Sequence, residues 1–272
     1  MAYKMVVCDL DETLLNDKKL IPAVNIAAIK AAVAQGIYFV PNTGRGYLTV
    51  QDNLQTLGLL QRKNEYVISY NGGAIVENFK NRILQTCVMP FSVVESLFEL
   101  GIAQGYCVHV YTVDQLYIWN ISASEINYLT GRVNQWHETT EPNLNFLQRQ
   151  DLIKIIFFVP QEAERLALKE QVLAQYTYPL NISFSSDRYI EFNSIEADKG
   201  QAAIALGNRL NIKPAEIIAV GDNSNDLPMI RQAGLGVSVA NGRKFVKQAA
   251  DYITAADNNQ GAVAEVLRKF VL

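Results

Sequence analysis

The sequence is poor in the residues that build disulfide frameworks and histidine metal centres. Three cysteines, Cys8, Cys87 and Cys107, and two histidines, His109 and His137, are scattered over 272 residues. Thiols this few and this far apart exclude a disulfide scaffold or a thiolate zinc site, and two histidines exclude a histidine-rich one. A long apolar run is also missing. The stretch from Leu152 to Val159 is broken by Lys154, well short of the roughly 18 residues that a membrane helix needs. The opening segment runs into Asp9 and Asp11 before a signal-peptide apolar region develops, so a cytoplasmic protein without a membrane partner is expected. Nor is there an excess of positive charge: 24 Lys and Arg against 27 Asp and Glu leave a formal charge of −3. A broad basic face for nucleic acid is thereby excluded, because such binding needs clustered cations that displace counterions.

What is present is ordinary for a folded protein, with 49% hydrophobic and 19% charged residues. At about 150 residues per domain the length fits one large domain or two modest ones. The first third alternates strand and helix: strands at 3–8, 37–40 and 66–69, with helices opening at Pro22 and at Tyr47. The first helix carries Ile26, Ile29 and Val33 along one stripe and stops at Gly36; the second stops at Gly58. The last third repeats the rhythm from Lys199 to Phe270. Strands separated by helices of this length predict a parallel sheet with right-handed crossovers. The middle differs. Adjacent strands at 106–111 and 115–119, and at 182–185 and 189–192 around a Ser186-Asp187-Arg188 turn, predict antiparallel pairs. The expected fold is therefore α/β, with a Rossmann-like core at 1–82 and 194–272 and an inserted α+β domain at 83–193.

Four short segments carry chemistry. Asp9-Leu10-Asp11-Glu12-Thr13 directly follows the first strand. Residues two apart in extended chain point the same way, so both carboxylates are expected at the strand's C-terminal end, where open α/β sheets bind ligands. Alone, the pair fits a solvated polar turn equally well. Gly221-Asp222-Asn223-Ser224-Asn225-Asp226 follows another apolar strand and brings two more acids to the same edge. Alone, it also reads as a helix cap. Unit charges about 4 Å apart interact by roughly 4 kcal/mol at an effective dielectric near 20, so such a cluster calls for a cation. Oxygen donors without His or thiolate suit Mg²⁺. Asn42-Thr43-Gly44-Arg45 offers a hydroxyl and a helix start that can cradle phosphate, though Thr-Gly-Arg by itself is commonly just a loop. Lys199-Gly200 opens a helix, where a lysine is unfavourable unless its ammonium reaches an anion.

Together, and in this order, the four segments resemble the motifs of the haloacid dehalogenase (HAD) superfamily, and the large insertion resembles its Cof-type phosphatases. Tyr70-Asn71-Gly72-Gly73-Ala74, Val239-Ala240-Asn241-Gly242 and Ala250-Asp251-Tyr252-Ile253-Thr254 are similar to further Cof-type segments. The resemblance implies a Mg²⁺-dependent phosphatase acting on a small phosphorylated metabolite, a sugar phosphate or cofactor precursor, through an aspartyl-phosphate. It makes Asp9 the nucleophile and Asp11 the general acid and base, which requires Asp11 to have a raised pKa. It places Mg²⁺ on the Asp9 side chain, the Asp11 carbonyl and Asp222. Thr43, Gly44, Lys199 and Asn225 would hold the phosphate, with Asp226 behind Lys199 or the metal's waters and Arg45 in reach of substrate. The inserted domain would act as a cap that sets selectivity and excludes water. Asp198 departs from the usual small residue and is expected to pair with Lys199. Two alternatives stand beside this one: a phosphoryl transferase, such as a sugar phosphomutase, and a phospho-accepting signalling module. A general acid/base at position 11 argues against the latter, because it speeds phospho-enzyme breakdown. Cys8 reads as a buried core thiol, and His109 as structural or exposed.

Overall fold

A computed structural model describes residues 3–133 and 135–272. The chain divides into two compact units, Met1–Gln85 with Asp198–Leu272, and Thr86–Ala197.

The first unit is built on a five-stranded parallel sheet in the order Tyr252–Ile253, Leu235–Ser238, Ile217–Gly221, Met5–Cys8, Tyr38–Pro41. Met-Val-Val-Cys and Ile-Ile-Ala-Val-Gly are buried along their whole length, as continuous apolar strands covered on both faces require. Chain order reverses between the first strand and Ile217–Gly221. The chain moves outward from Met5–Cys8 to Tyr38–Pro41 on one side, and from Ile217–Gly221 to Tyr252–Ile253 on the other. That reversal opens a crevice at the C-terminal ends of these two strands. Cys8 is in register with Val220 and the Asp9 amide donates to the Val220 carbonyl at 3.0 Å, so the two acidic segments leave the sheet side by side.

Two expectations for this unit are corrected. Tyr66–Ser69 does not extend the parallel sheet beyond a single bridge between Asn42 and Ile68. It leads a separate three-stranded sheet with Ala74–Glu77 and Arg82–Thr86, the first pair antiparallel. The cause is local: Tyr70, Asn71 and Gly72 all have left-handed φ (56°, 57° and 95°) and turn the chain back. In the helix Ala23–Ala34, Ile29 is buried, but Asn25, Ala28 and Ala32 fill the rest of the inner face, and Ile26 and Val33 are half-exposed. The helix Ala262–Phe270 packs there, and Asn25 Oδ1 accepts from the Ala264 amide at 2.8 Å. Small side chains and one buried amide, rather than branched aliphatics, let the two backbones approach.

The helix Lys199–Arg209 covers the sheet through Ala202, Ala203 and Leu206, which pack with Met5, Val7 and Ile217. Its second residue must be glycine: a Cβ on Gly200 would lie 2.6 Å from the Pro228 carbonyl carbon.

The second unit holds a six-stranded sheet in the order Leu180–Ser185, Tyr189–Ser194, Leu152–Phe158, Cys107–Thr112, Leu116–Trp119, His137–Glu138. It is antiparallel except for the last pair, which is parallel. Phe91–Ala103 and Glu162–Gln175 bury Val94, Phe98, Leu168 and Val172 on one face against Val108, Val110, Phe157 and Phe192. Ser186 and Asp187 have φ of 54° and 51°, the left-handed pair a tight hairpin needs. The helix Ala123–Leu129 stops two residues before Gly131, which is left-handed (φ 75°). His109 is structural: it is buried, with Nε2 3.3 Å from a Glu125 oxygen. Trp119 belongs to the core, edge-on to Phe98. Among the described residues, no helix is long and apolar enough to cross a membrane.

Candidate active site

The strand ends place three carboxylates and one ammonium in a buried cluster. Lys199 is fully buried, and its Nζ lies 2.6 Å from Asp9 Oδ1 and 2.6 Å from Asp226 Oδ1. The ammonium of a first-turn lysine is thus turned inward onto anions. Oxygens of Asp9, Asp222 and Asp226 come within 4.8 Å of one another. Asp226 is fully committed: its second oxygen accepts from the amides of Asp222 (2.9 Å) and Asn223 (3.0 Å). Gly221 permits this, because a Cβ there would sit 2.5 Å from the Asp226 side chain. Asp222 Oδ1 accepts from the Thr13 hydroxyl at 2.8 Å.

Charge in this cluster does not balance, since three carboxylates share one buried lysine. Burial, opposed by Lys199 and reinforced by Asp226 and Asp222, pushes Asp9 well above the usual carboxylate range. Burial and then Asp226 push Asp222 up to about 7. For Lys199, burial alone would lower the ammonium, but Asp226 and Asp9 outweigh it and raise it above its ordinary value. Surplus negative charge and hard oxygen donors suit a divalent cation such as Mg²⁺. Asp9 and Asp222 are the side chains free to take it, because Asp226 is already bonded at both oxygens.

Asp11 corrects two expectations. Its carboxylate is not in the cluster and its pKa is not raised. After Asp11, which is itself extended (φ −72°, ψ 129°), the chain turns at Glu12, left-handed at φ 61°. Asp11 is turned to Arg45, whose Nε donates to Oδ2 (2.8 Å) and Nη2 to Oδ1 (2.5 Å), and Lys19 Nζ adds a contact at 3.2 Å. Burial acts to raise the Asp11 carboxyl, but the hydrogen bonds and charges of Arg45 and Lys19 prevail and hold it below its ordinary value.

The Thr-Gly-Arg segment stands on the neighbouring strand end. Thr43 is buried, its hydroxyl accepting from the Arg45 amide at 3.1 Å. Asn71 lies against Gly44, and its Oδ1 accepts from Asn225 Nδ2 at 3.0 Å. Asn42 Nδ2 donates to the Lys199 carbonyl at 2.9 Å, which ties this segment to the lysine helix. Asp198 does not pair with Lys199. Its carboxylate caps the helix instead, accepting from the Gly200 (2.9 Å) and Gln201 (2.8 Å) amides, and so cancels part of the helix's positive end.

Lys199, Asp9, Asp222 and Asp226 are thus brought together, with Thr43, Gly44 and Asn225 joined through Asn71 and Asn42. Thr13, Lys19 and Asn71 were not among the site residues chosen from sequence. Thr13 and Asn71 lie inside recognised segments. Lys19 carries no local signal.

Three comparisons bear on this geometry. Residues 6–267 match the family of haloacid dehalogenase-like hydrolases. YxeH of Bacillus subtilis is 31% identical over 279 residues, covering 99% of both chains. The 5-amino-6-(5-phospho-D-ribitylamino)uracil phosphatase YcsE of the same organism is 28% identical over 271 residues, covering 99% of this chain and 96% of its own. Among solved structures, a haloacid dehalogenase-like hydrolase from Bacteroides thetaiotaomicron is similar with a TM-score of 0.85 and 26% identity, over 98% of this chain and 99% of that one. The chain belongs to the haloacid dehalogenase-like hydrolase family.

Proposed function

We propose that the chain is a Mg²⁺-dependent phosphoric monoester hydrolase that acts on a small phosphorylated metabolite through an aspartyl-phosphate on Asp9. The observation behind this is the buried contact of Lys199 Nζ with Asp9 Oδ1 at 2.6 Å, beside a carboxylate cluster with surplus negative charge. An oxygen of Asp9 attacks phosphorus, the ester oxygen leaves with the alcohol, and water then releases inorganic phosphate from the acyl phosphate. Lys199 holds Asp9 in place and meets the negative charge on the phosphoryl oxygens, with Thr43, the Gly44 amide and Asn225 as further donors. Asp226 orients Lys199 and stiffens the Asp222 turn through its two amide bonds. Asp11 protonates the departing alkoxide and takes a proton from the attacking water. Held ionised by its hydrogen bonds to Arg45, it must first lose them and take up a proton from solvent before it can act as the acid. Mg²⁺ on Asp9, Asp222 and the Asp11 carbonyl would offset repulsion between nucleophile and phosphate. Substrate choice is assigned to the unit Thr86–Ala197.

A panel of phosphorylated sugars, nucleotides and vitamins, read by phosphate release, tests this proposal. At least one compound is expected to turn over with Mg²⁺ and to stop with a chelator. Turnover unaffected by chelation, or none on any ester, contradicts the proposal.

A further inference from the structure

Two cations that the phosphatase chemistry does not consume converge on Asp11. Arg45 binds both of its oxygens and Lys19 adds a third contact at 3.2 Å. One carboxylate therefore faces two full positive charges. Among the described residues, Arg45 donates from its side chain only through Nε and Nη2, leaving Nη1 open. Lys19 uses a single donor of its ammonium. Both side chains keep solvent access, 23% for Arg45 and 44% for Lys19.

Lys19 is held in place by its backbone. Its φ is 61°, in the left-handed region that non-glycine residues seldom occupy. The loop closes on itself, Lys19 N donating to the Asn16 carbonyl (2.8 Å) and Asn16 N to the Leu20 carbonyl (2.9 Å). Asn16 Oδ1 accepts from the amides of Lys18 and Leu20, each at 3.0 Å. From the far end of the chain, Asn258 Nδ2 donates to the Leu15 carbonyl and to Asp17 Oδ1, each at 3.1 Å. A braced loop with a sterically costly residue at its tip thus presents one ammonium next to Asp11.

The cluster behind Asp11 is negative, and without compensation it would repel an anionic ligand. A surplus cation at its margin reverses that locally, and a guanidinium edge beside an ammonium suits a carboxylate or phosphate. We propose that Lys19 and Arg45 form an anion subsite, and that the substrate is a phosphomonoester bearing a second anionic group on its alcohol portion. The proposal rests on the phosphatase reading above.

Matched substrate pairs test it: 3-phosphoglycerate against glycerol 3-phosphate for a carboxylate, and fructose 1,6-bisphosphate against fructose 6-phosphate for a second phosphate. The wild-type enzyme is expected to favour the doubly anionic member of at least one pair in kcat/KM. Lys19→Met should cut that preference about tenfold, mainly through KM, the usual scale for one hydrogen bond to a charged group. Lys19→Arg should restore it. Which pair responds tells carboxylate from phosphate. No wild-type preference in either pair overturns the subsite alone, as does an equal loss on both members in Lys19→Met. No phosphate release from any ester removes the phosphatase reading, and the subsite with it.

Discussion

Lys199 is the residue on which the site's electrostatics turn. Its ammonium is the one cation contacting both Asp9 and Asp226 among the described residues. Removing one partner of a buried ion pair strands the others, which costs about 3–5 kcal/mol. Lys199→Met is therefore predicted to lower stability by that amount at neutral pH without divalent ions, measured by denaturant unfolding. A loss below about 1 kcal/mol would mean that the ammonium is not the counter-charge the geometry indicates. The residue scale is also where the sequence was most and least informative. Asp9, Lys199, Asp222 and Asp226 were legible because each sits at a strand end or helix start, where backbone direction fixes side-chain direction. Asp11 and Asp198 were misread at the level of contacts. Both lie where the chain leaves regular geometry, and their partners, Arg45 and the Gly200 and Gln201 amides, depend on turns that no periodicity encodes.

At the scale of elements, the helix Lys199–Arg209 carries an unfavourable lysine in its first turn and offsets it with the Asp198 cap. Asp198→Ala is predicted to destabilise by about 1 kcal/mol, and Asp198→Asn by less, in thermal or denaturant melts. Equal loss in both would point to charge rather than hydrogen bonding. Just before the strand Tyr66–Ser69, Glu65 is buried, with Oε2 lacking a hydrogen-bond partner, and burial pushes its carboxyl up to about 7. With the folded pKa above the unfolded one, its contribution is fully present below the ordinary carboxylate range and is lost as pH rises through about 7. Glu65→Gln is thus expected to match the wild type in Tm near pH 4 and to exceed it near pH 8. A constant difference between the two would contradict that assignment. Helix limits marked by residue type, such as the opening at Pro22 and the stop at Gly58, were read from sequence. The Ala74–Glu77 and Arg82–Thr86 strands were not, because three consecutive left-handed residues turn the chain into the first, and Lys80 and Asn81, also left-handed, precede the second. Only one of those three, Gly72, is a glycine.

For the molecule as a whole, sheet topology accounts for the site. Chain order reverses between Met5–Cys8 and Ile217–Gly221, so segments about two hundred positions apart deliver their acids to one crevice. Parallel strands buried on both faces leave a plain apolar signature, which is why the α/β core could be read from sequence. Sequence periodicity could not show that the surplus charge gathers on Asp9 and Asp222 while Asp11 is drawn aside, since that depends on three-dimensional pairing with Arg45 and Lys19. The central claim, that Asp9 is the group that receives phosphorus, is open to direct chemical capture. Enzyme turning over an ester with Mg²⁺ is quenched in acid, reduced with borohydride and digested for mass spectrometry. Position 9 is expected to be converted from aspartate to homoserine, and only when substrate is present. Homoserine at another aspartate, with Asp9 unmodified, would contradict it.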